Sequence, residues 1–203
     1  VHLIYVIMIT REDIMIENIS IKRIRFLNKK QREYMEYKLV DKAKEGCDES
    51  FEILINNYKE YLYKTAFLYV KNEHDALDIY QETVYKAYIN ISKLRNSNFF
   101  KTWITKILIN NVNMKNRHYN KFQDEPVEDY IGEIEYSNIE ENIDLYDAID
   151  RLDEKYKTPV ILQYFHDLTI SQIAEIMECN ENTVKSNIRR AKKKLYDILK
   201  EEK

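Results

Sequence analysis

The sequence predicts an all-α protein, on three observations. Its 203 residues include only 2 Gly and 2 Pro, which argues against a sheet-rich fold with many tight turns. Apolar residues recur three or four positions apart along almost the whole chain, whereas strict alternation is scarce. The composition, with 44% hydrophobic and 33% charged residues, is typical of globular proteins. We therefore expect amphipathic helices packed into compact domains.

The chain divides by composition into four stretches. Residues 1–34 form an N-terminal extension that we expect to be either poorly ordered or the product of an upstream start assignment. Its apolar beginning, VHLIYVIMIT, is too short to span a bilayer and lacks the features of a secretory signal. Residues 35–118 are predicted to form a first helical domain, 119–139 a linker, and 140–203 a second helical domain.

The linker belongs to the most acidic part of the chain. It contains Pro126 and Gly132, and positions 124 to 150 hold eleven acids with no Lys or Arg. This composition predicts a flexible acidic connection between the two domains. The acids form either a solvated spacer or a segment that shields a basic surface elsewhere in the chain.

Three helices are predicted in the central part of the first domain. The first opens near position 49 and carries an apolar stripe over 51–66. The second covers 75–91, and a polar loop over 93–98 separates it from a third helix over 99–117. In the second helix, acids and an amide three and four positions apart share one face with a tyrosine. This face is either solvated or receives Arg and Lys side chains of a partner; its residues are Asp78, Gln81, Glu82 and Tyr85.

The polar loop and the third helix offer groups that suit nucleic acid. Asn96, Ser97 and Asn98 are short and polar, so they either hydrogen-bond an unstacked base or form an ordinary turn. Trp103, the sole tryptophan, belongs either to the core or to a support for this loop. Amides and cations follow toward the end of the helix, where they can face duplex DNA: Asn110, Asn111, Lys115, Asn116 and Arg117.

The second domain ends in a predicted helix-turn-helix. Thr169 and Gln172 have the spacing of a capping box at the start of its first helix. Ala174 is small enough for two helices to cross closely. Residues 178–180 are predicted to form the turn, with Asn180 as the N-cap of the second helix.

The second helix of this motif has two opposed faces. Val184, Ile188, Ala191 and Leu195 recur at the spacing of a buried stripe. Between positions 182 and 194 there are six basic residues and no acid. Such a helix suits a DNA major groove, although a solvated helix of an ordinary bundle has the same pattern. The candidate DNA-binding residues are Asn182, Thr183, Lys185, Ser186, Arg189, Arg190 and Lys193.

Metal, disulfide and catalytic motifs are missing from the sequence. Cys47 and Cys179 stand far apart, and the four histidines show no ligand spacing. The chain has no P-loop, GxSxG or HExxH motif. We therefore expect no metal, no cofactor, no small-molecule substrate and no enzymatic activity, in a reducing cytoplasmic setting.

Three segments resemble one protein family. DALDIYQETVYKAY and FFKTWITKILINNVNMKNR are similar to region 2 of sigma-70-type transcription initiation factors, and IAEIMECNENTVKSNIRRAKKKL is similar to their region 4. The resemblance covers roughly 35–203. Because the linker leaves no room for a region 3 domain, the chain resembles the two-domain extracytoplasmic-function (ECF) group.

The resemblance implies an alternative sigma factor that is not an enzyme. Its partners would be core RNA polymerase, promoter DNA and an anti-sigma factor. The second domain would bind the −35 element, and the first would melt the −10 element. Polymerase would contact the acidic face that contains Asp78, Gln81, Glu82 and Tyr85. Contacts to the −10 element would come from Asn96, Ser97, Asn98, Trp103, Asn111, Lys115 and Arg117.

Three residues depart from a regular pattern. Glu178 occupies a turn position where the family often has Gly or Asn, and a positive φ there would cost about 1 kcal/mol. Asn187 stands where Arg is frequent in the family. Pro159 falls inside a predicted helix, so we expect a delayed or bent helix start.

Two other interpretations stay open at this point. One is a helix-turn-helix transcriptional regulator that does not act as a sigma factor. The other is a helical adaptor that binds no DNA, in which the basic helix is a solvated face. Binding to core polymerase would distinguish a sigma factor from both of these alternatives.

Overall fold

The computed structural model describes residues 29–121 and 143–201, which belong to two compact units. In the first unit, short 3₁₀ turns at Ile91–Lys93 and Ser97–Phe99 connect the helix Glu73–Asn90 to the helix Phe100–Lys121. The helices in the described part of this unit are α1 (Lys29–Lys44), α2 (Asp48–Val70), α3 (Glu73–Asn90) and α4 (Phe100–Lys121).

The second unit is also helical. A π-helical turn, Ile161–Phe165, follows directly on its second helix. The helices are α5 (Ile143–Asp150), α6 (Glu154–Val160), α7 (Ile170–Ile176) and α8 (Glu181–Glu201). Both described ranges contain helices and turns but no strand, so the predicted all-α class is confirmed.

Two predicted domain limits fall inside helices. Helix α1 begins at Lys29, ahead of the predicted start at Met35, and α4 continues to Lys121, past His118. The rest of the predicted N-terminal extension and positions 122–139 of the predicted linker lie outside the described residues. Their flexibility therefore stays a prediction.

The core of the first unit forms where α1, α3 and α4 pack against α2. Phe100 is fully buried, and the ring of Tyr58 meets it edge-on at 5.3 Å. The Tyr58 hydroxyl donates to Oε1 of Glu36 at 2.7 Å, and burial raises the pKa of this carboxyl. The other fully buried residues include Leu54, Ile55, Leu62, Ile104, Leu108 and Val112.

Local signals fix where these helices begin and end. Gly46, at φ +93°, supplies the left-handed turn after α1, and Cys47 precedes α2. Asn72 caps α3, since its side chain accepts the N–H of Asp75 at 3.0 Å. The first turn of α3 also contains acids, which complement the helix dipole.

The helix-turn-helix of the second unit has the predicted local structure. Thr169 and Gln172 form a capping box at α7. Oδ1 of Asn180 accepts the N–H of Thr183 at 2.8 Å and caps α8. The buried stripe contains Val184, Ile188 and Ala191 as predicted, whereas Leu195 is half-buried. Cys179 lies half-exposed in the turn, as Cys47 does ahead of α2; both thiols are free.

The delayed helix start that Pro159 predicted is wrong. Helix α6 starts at Glu154 without delay, and Pro159 is its penultimate residue. The chain continues directly into the π-helical turn Ile161–Phe165.

The turn before α8 holds a residue in a strained backbone conformation. Glu178 has φ 52°, the left-handed region that the sequence analysis anticipated. An L side chain is disfavoured there relative to glycine. We expect Glu178→Gly to raise the free energy of unfolding of the full chain by about 1 kcal/mol in urea titrations.

A matched control is Glu175→Gly. Glu175 is also exposed but lies in α7, where glycine costs about 1 kcal/mol. The two glycines should therefore act in opposite directions. A loss of stability in both variants would show that the left-handed turn carries no strain.

Candidate nucleic-acid interface

Helix α8 presents a polar, basic face to solvent. All seven predicted DNA-binding residues, Asn182, Thr183, Lys185, Ser186, Arg189, Arg190 and Lys193, are exposed. The opposite face is held against the unit by the buried stripe. Lys185 lies 3.6 Å from the exposed carboxylate of Glu181, a contact that water weakens.

The cations of α8 fall into two groups. Nζ of Lys192 lies 5.1 Å from the ring centre of Tyr164, and Nζ of Lys194 lies 5.2 Å from that of Tyr156. Lys194 also approaches Asp153 at 3.4 Å. These two lysines pack on their own unit. The predicted DNA-facing cations are the other exposed ones, Lys185, Arg189, Arg190 and Lys193.

The loop that precedes α4 uses its three polar residues differently. Asn96 and Asn98 are exposed, and Oδ1 of Asn96 accepts the N–H of Asn98 at 3.0 Å. Ser97 is only 4% exposed; its hydroxyl donates to Oδ1 of Asp41 at 2.5 Å and lies 3.5 Å from Nζ of Lys44. Ser97 was predicted to face DNA, but its hydroxyl is engaged inside the unit.

Asn111 is a second correction to the predicted DNA-binding set. It is 5% exposed, and its amide nitrogen donates to the hydroxyl of Thr83 at 3.0 Å. Its carbonyl oxygen accepts from Nζ of Lys86 at 2.6 Å. Both polar atoms of Asn111 therefore join α4 to α3, and neither is available to a base. Sequence reasoning could not find these partners because they lie on another helix.

Lys115 joins the same two helices by ion pairs. Its ammonium lies 2.5 Å from Asp75 and 3.2 Å from Asp78. Burial lowers the pKa of Lys115, but the hydrogen bonds to the two carboxylates outweigh it and raise the pKa overall. Lys115 therefore stays cationic, with much of its charge compensated. Arg117 is exposed, and its Nε donates to the carbonyl of Asn113 at 3.1 Å.

His74 joins this ion-paired group, which the sequence analysis did not predict. Its Nδ1 lies 3.5 Å from Asp78, and the ligand atoms of His74, Asp75 and Asp78 all lie within 4.8 Å of one another. Such a group can hold a metal ion. Here the ammonium of Lys115 already contacts both carboxylates, so the acids have a cation from the chain itself.

The Lys115 ion pairs should be measurable as stability. Lys115→Met leaves two carboxylates facing each other, and we expect a loss of about 1–2 kcal/mol in urea unfolding at neutral pH. Because the pKa of Lys115 is raised, this stabilisation is fully present below the ordinary lysine pKa of 10.5 and is lost only as the pH rises through the folded value.

Lys64→Met is the control for that variant. Lys64 pairs with Glu60 at 2.7 Å, but both side chains are more than two-thirds exposed. Its removal should cost less than about 0.5 kcal/mol. Equal effects of the two substitutions would contradict a special role for Lys115.

A cleft lies beside Trp103, between the C-terminal end of α3 and the middle of α4. It has a volume of 390 Å³ and combines an aromatic ring with amides and cations. This combination suits single-stranded nucleic acid, in which bases stack on aromatic rings and phosphates meet cations. Trp103 is itself half-buried, 5.8 Å from the ring of Phe100. The polar lining residues are Lys86, Asn90, Lys93, Asn110 and Asn111, of which Lys86 and Asn111 are already hydrogen-bonded to each other.

The predicted protein-binding face of α3 mixes charge with exposed apolar surface. Asp78, Glu82 and Tyr85 are exposed and Gln81 is half-buried. Ile89, one turn beyond Tyr85 on the same stripe, is 50% exposed, and Leu77 beside Asp78 is 46% exposed. Neither residue was predicted from the sequence to belong to this face. The signal for Ile89 was available, because it continues the four-residue spacing of Tyr85.

Family profiles match both units. "Sigma-70 region 2" matches residues 54–121, and "Sigma-70, region 4" matches residues 143–195. The RNA polymerase sigma factor SigV of Bacillus subtilis is 38% identical over 142 residues, which are 68% of this chain and 84% of SigV. The ECF RNA polymerase sigma factor SigW of Bacillus subtilis is 28% identical over 83% of this chain and 99% of SigW.

Solved structures have a similar fold. The structure of CnrH in complex with the cytosolic domain of CnrY has a TM-score of 0.66 and 18% identity, over 83% of this chain and 99% of that one. The sigma factor RpoE of Bartonella quintana, in complex with the anti-sigma factor NepR, has a TM-score of 0.60 and 22% identity, over 72% and 94%.

These helices and family matches define a transcription initiation factor. The chain belongs to the sigma-70 family of RNA polymerase sigma factors, in its ECF group. It is an alternative sigma factor that directs promoter-specific initiation, and both of the matching family profiles are regions of sigma-70. In the described ranges 29–121 and 143–201, no helix has the length and apolar character needed to cross a membrane.

Proposed function

We propose that the first unit docks on core RNA polymerase and melts the −10 element, while the second unit binds the −35 element. The observation that carries this proposal is the exposed face of α8, where seven polar or basic side chains lie opposite a buried apolar stripe. The rest follows from the exposed face of α3 and from the loop and cleft at α4.

Helix α8 would enter the major groove of the −35 duplex. Lys185, Arg190 and Lys193 would meet phosphates, which sets the register of the helix without reading sequence. Asn182 and Arg189 would read bases, because an amide and a guanidinium can bond adenine and guanine through two hydrogen bonds each.

The −10 element would be opened by binding energy alone. Extruded bases would meet Asn96 and Asn98 in the loop, and the single strand would follow the cleft beside Trp103. Each captured base offsets the few kcal/mol lost when it leaves the stack. No bond is made or broken in this process, so the chain acts without enzymatic activity, a cofactor or a small-molecule substrate.

The face of α3 would serve two successive partners. Core polymerase would bind Asp78, Gln81, Glu82 and Tyr85, and an anti-sigma factor would compete for the same surface in the cytoplasm. The exposed side chains of Tyr85 and Ile89 support this assignment, since such groups gain most from burial at an interface. RpoE, a structural neighbour, was solved with an anti-sigma factor.

Run-off transcription tests the proposed function. Core polymerase is incubated with fragments of the source genome, with and without the full chain, and transcript ends are mapped. We expect discrete start sites that depend on the chain. Core polymerase that binds the chain but starts at no new site would contradict the proposal.

A further inference from the structure

A side-chain hydrogen bond to α1 holds the loop that precedes α4. It is anchored at its two ends by buried apolar residues, Leu94 at 6% and Phe100 at 0% exposure. Between these anchors, Ser97 turns inward, whereas Asn96 and Asn98 are exposed. The inward contact of Ser97 therefore sets which way its two neighbours face.

The contact that Ser97 makes is a short, charge-assisted hydrogen bond. Its hydroxyl donates to Oδ1 of Asp41 at 2.5 Å, across 56 residues of sequence. Nζ of Lys44, one turn after Asp41, donates to the same hydroxyl at 3.5 Å. Hydrogen bonds from Ser97 and Tyr37 lower the pKa of Asp41, so the acceptor is ionised at neutral pH.

We propose that Asp41 is a positioning residue for promoter opening: through Ser97 it fixes the loop so that Asn96 and Asn98 face an extruded base. Asp41 itself touches no DNA. The proposal rests on the proposed function of the loop. An amide discriminates between bases only when its position is fixed, so a loosened loop should lose base preference before it loses binding.

Exchanging the residues at positions 41 and 97 tests whether the contact between Asp41 and Ser97 orders the loop. Asp41→Ser replaces the carboxylate acceptor by a shorter, neutral hydroxyl, and Ser97→Asp brings two carboxylates together. The double variant Asp41→Ser, Ser97→Asp restores one hydroxyl opposite one carboxylate. Ser92→Asp is the matched control, since Ser92 lies exposed in the neighbouring 3₁₀ turn.

Two measurements are made on each full-length variant. Amide hydrogen exchange over 95–99 reports loop order without any partner. Transcription with core polymerase reports base preference. The templates are variants of a mapped promoter in which each −10 position is replaced in turn by each of the four bases. We expect both single variants to speed exchange and to lower the preference at one −10 position about 10-fold. The double variant should recover most of the slow amide exchange and most of the base preference. Ser92→Asp should match the wild-type chain in both measurements.

Several results would overturn the proposal. Unchanged exchange in both single variants would remove the link between Asp41 and loop order. Faster exchange with intact base preference would show that the contact is structural only, as would a double variant no better than the singles. If a single variant fails to fold, Ser97→Ala and Ser97→Thr replace it. Alanine lacks the hydroxyl, so the base preference should be lost, whereas threonine keeps the hydroxyl and should keep the base preference. A wild-type chain that starts no transcription would instead overturn the proposed function.

Discussion

The double variant Glu82→Lys, Tyr85→Ala is expected to lose binding to core polymerase by about 1,000-fold or more. Truncation of a central aromatic residue at an interface costs about 2 kcal/mol or more. Reversal of a charge that faces a basic surface costs several kcal/mol. Co-purification of the full chain with core polymerase, followed by a Kd from titration, measures the effect.

This pair avoids Asp78 for a structural reason. Asp78 lies 3.2 Å from Lys115, so Asp78→Lys would bring two cations together inside the unit and disturb folding as well as docking. Glu82 pairs with Lys86 one turn away on the same helix at 3.0 Å, and its side chain is 50% exposed. Glu60→Lys is the matched control, since Glu60 pairs one turn away with Lys64 on α2. A double variant that binds polymerase as tightly as this control would remove the α3 face from the interface.

Arg189→Ala is expected to weaken binding of the holoenzyme to its −35 element by about 1–3 kcal/mol, which is roughly 5- to 150-fold. Arg189 is exposed on α8, and the buried stripe on the other side leaves the fold independent of its side chain. Promoter affinity, measured across a series of salt concentrations, checks this prediction.

Arg189→Lys separates the two ways in which the residue could act. A bidentate contact to guanine needs the guanidinium, so lysine would not restore affinity. A phosphate contact needs only the charge, so lysine would restore it, and Arg189→Ala would lower the salt dependence by about one released ion. Wild-type affinity for Arg189→Ala at every salt concentration would exclude the residue from the interface.

The parts of the fold that sequence could predict are those whose causes are local. The capping box of Thr169 and Gln172, the N-cap of Asn180 and the stripe of Val184, Ile188 and Ala191 all arise within a few residues. Even the positive φ of Glu178 follows from its place in a tight turn. The geometry of the helix-turn-helix therefore agrees with its prediction nearly residue by residue.

The parts that sequence missed depend on partners from distant segments. Ser97 and Asn111 have side chains that suit DNA, but Asp41 engages the first, and Thr83 and Lys86 engage the second. Residue type reveals what a side chain can bond, whereas packing decides what it does bond. For the same reason Lys115 and Asp78 were assigned to two different surfaces, although they form one ion pair.

The distribution of thiols makes the chain suitable for spectroscopy without mutagenesis. Its only two cysteines, Cys47 and Cys179, lie one in each unit, and both are half-exposed. A thiol-specific label therefore attaches one probe to each unit, at the start of α2 and in the turn before α8. Distance distributions between paired nitroxides or fluorophores on the native sequence would then follow how the separation of the units changes when polymerase, promoter DNA or an anti-sigma factor is added.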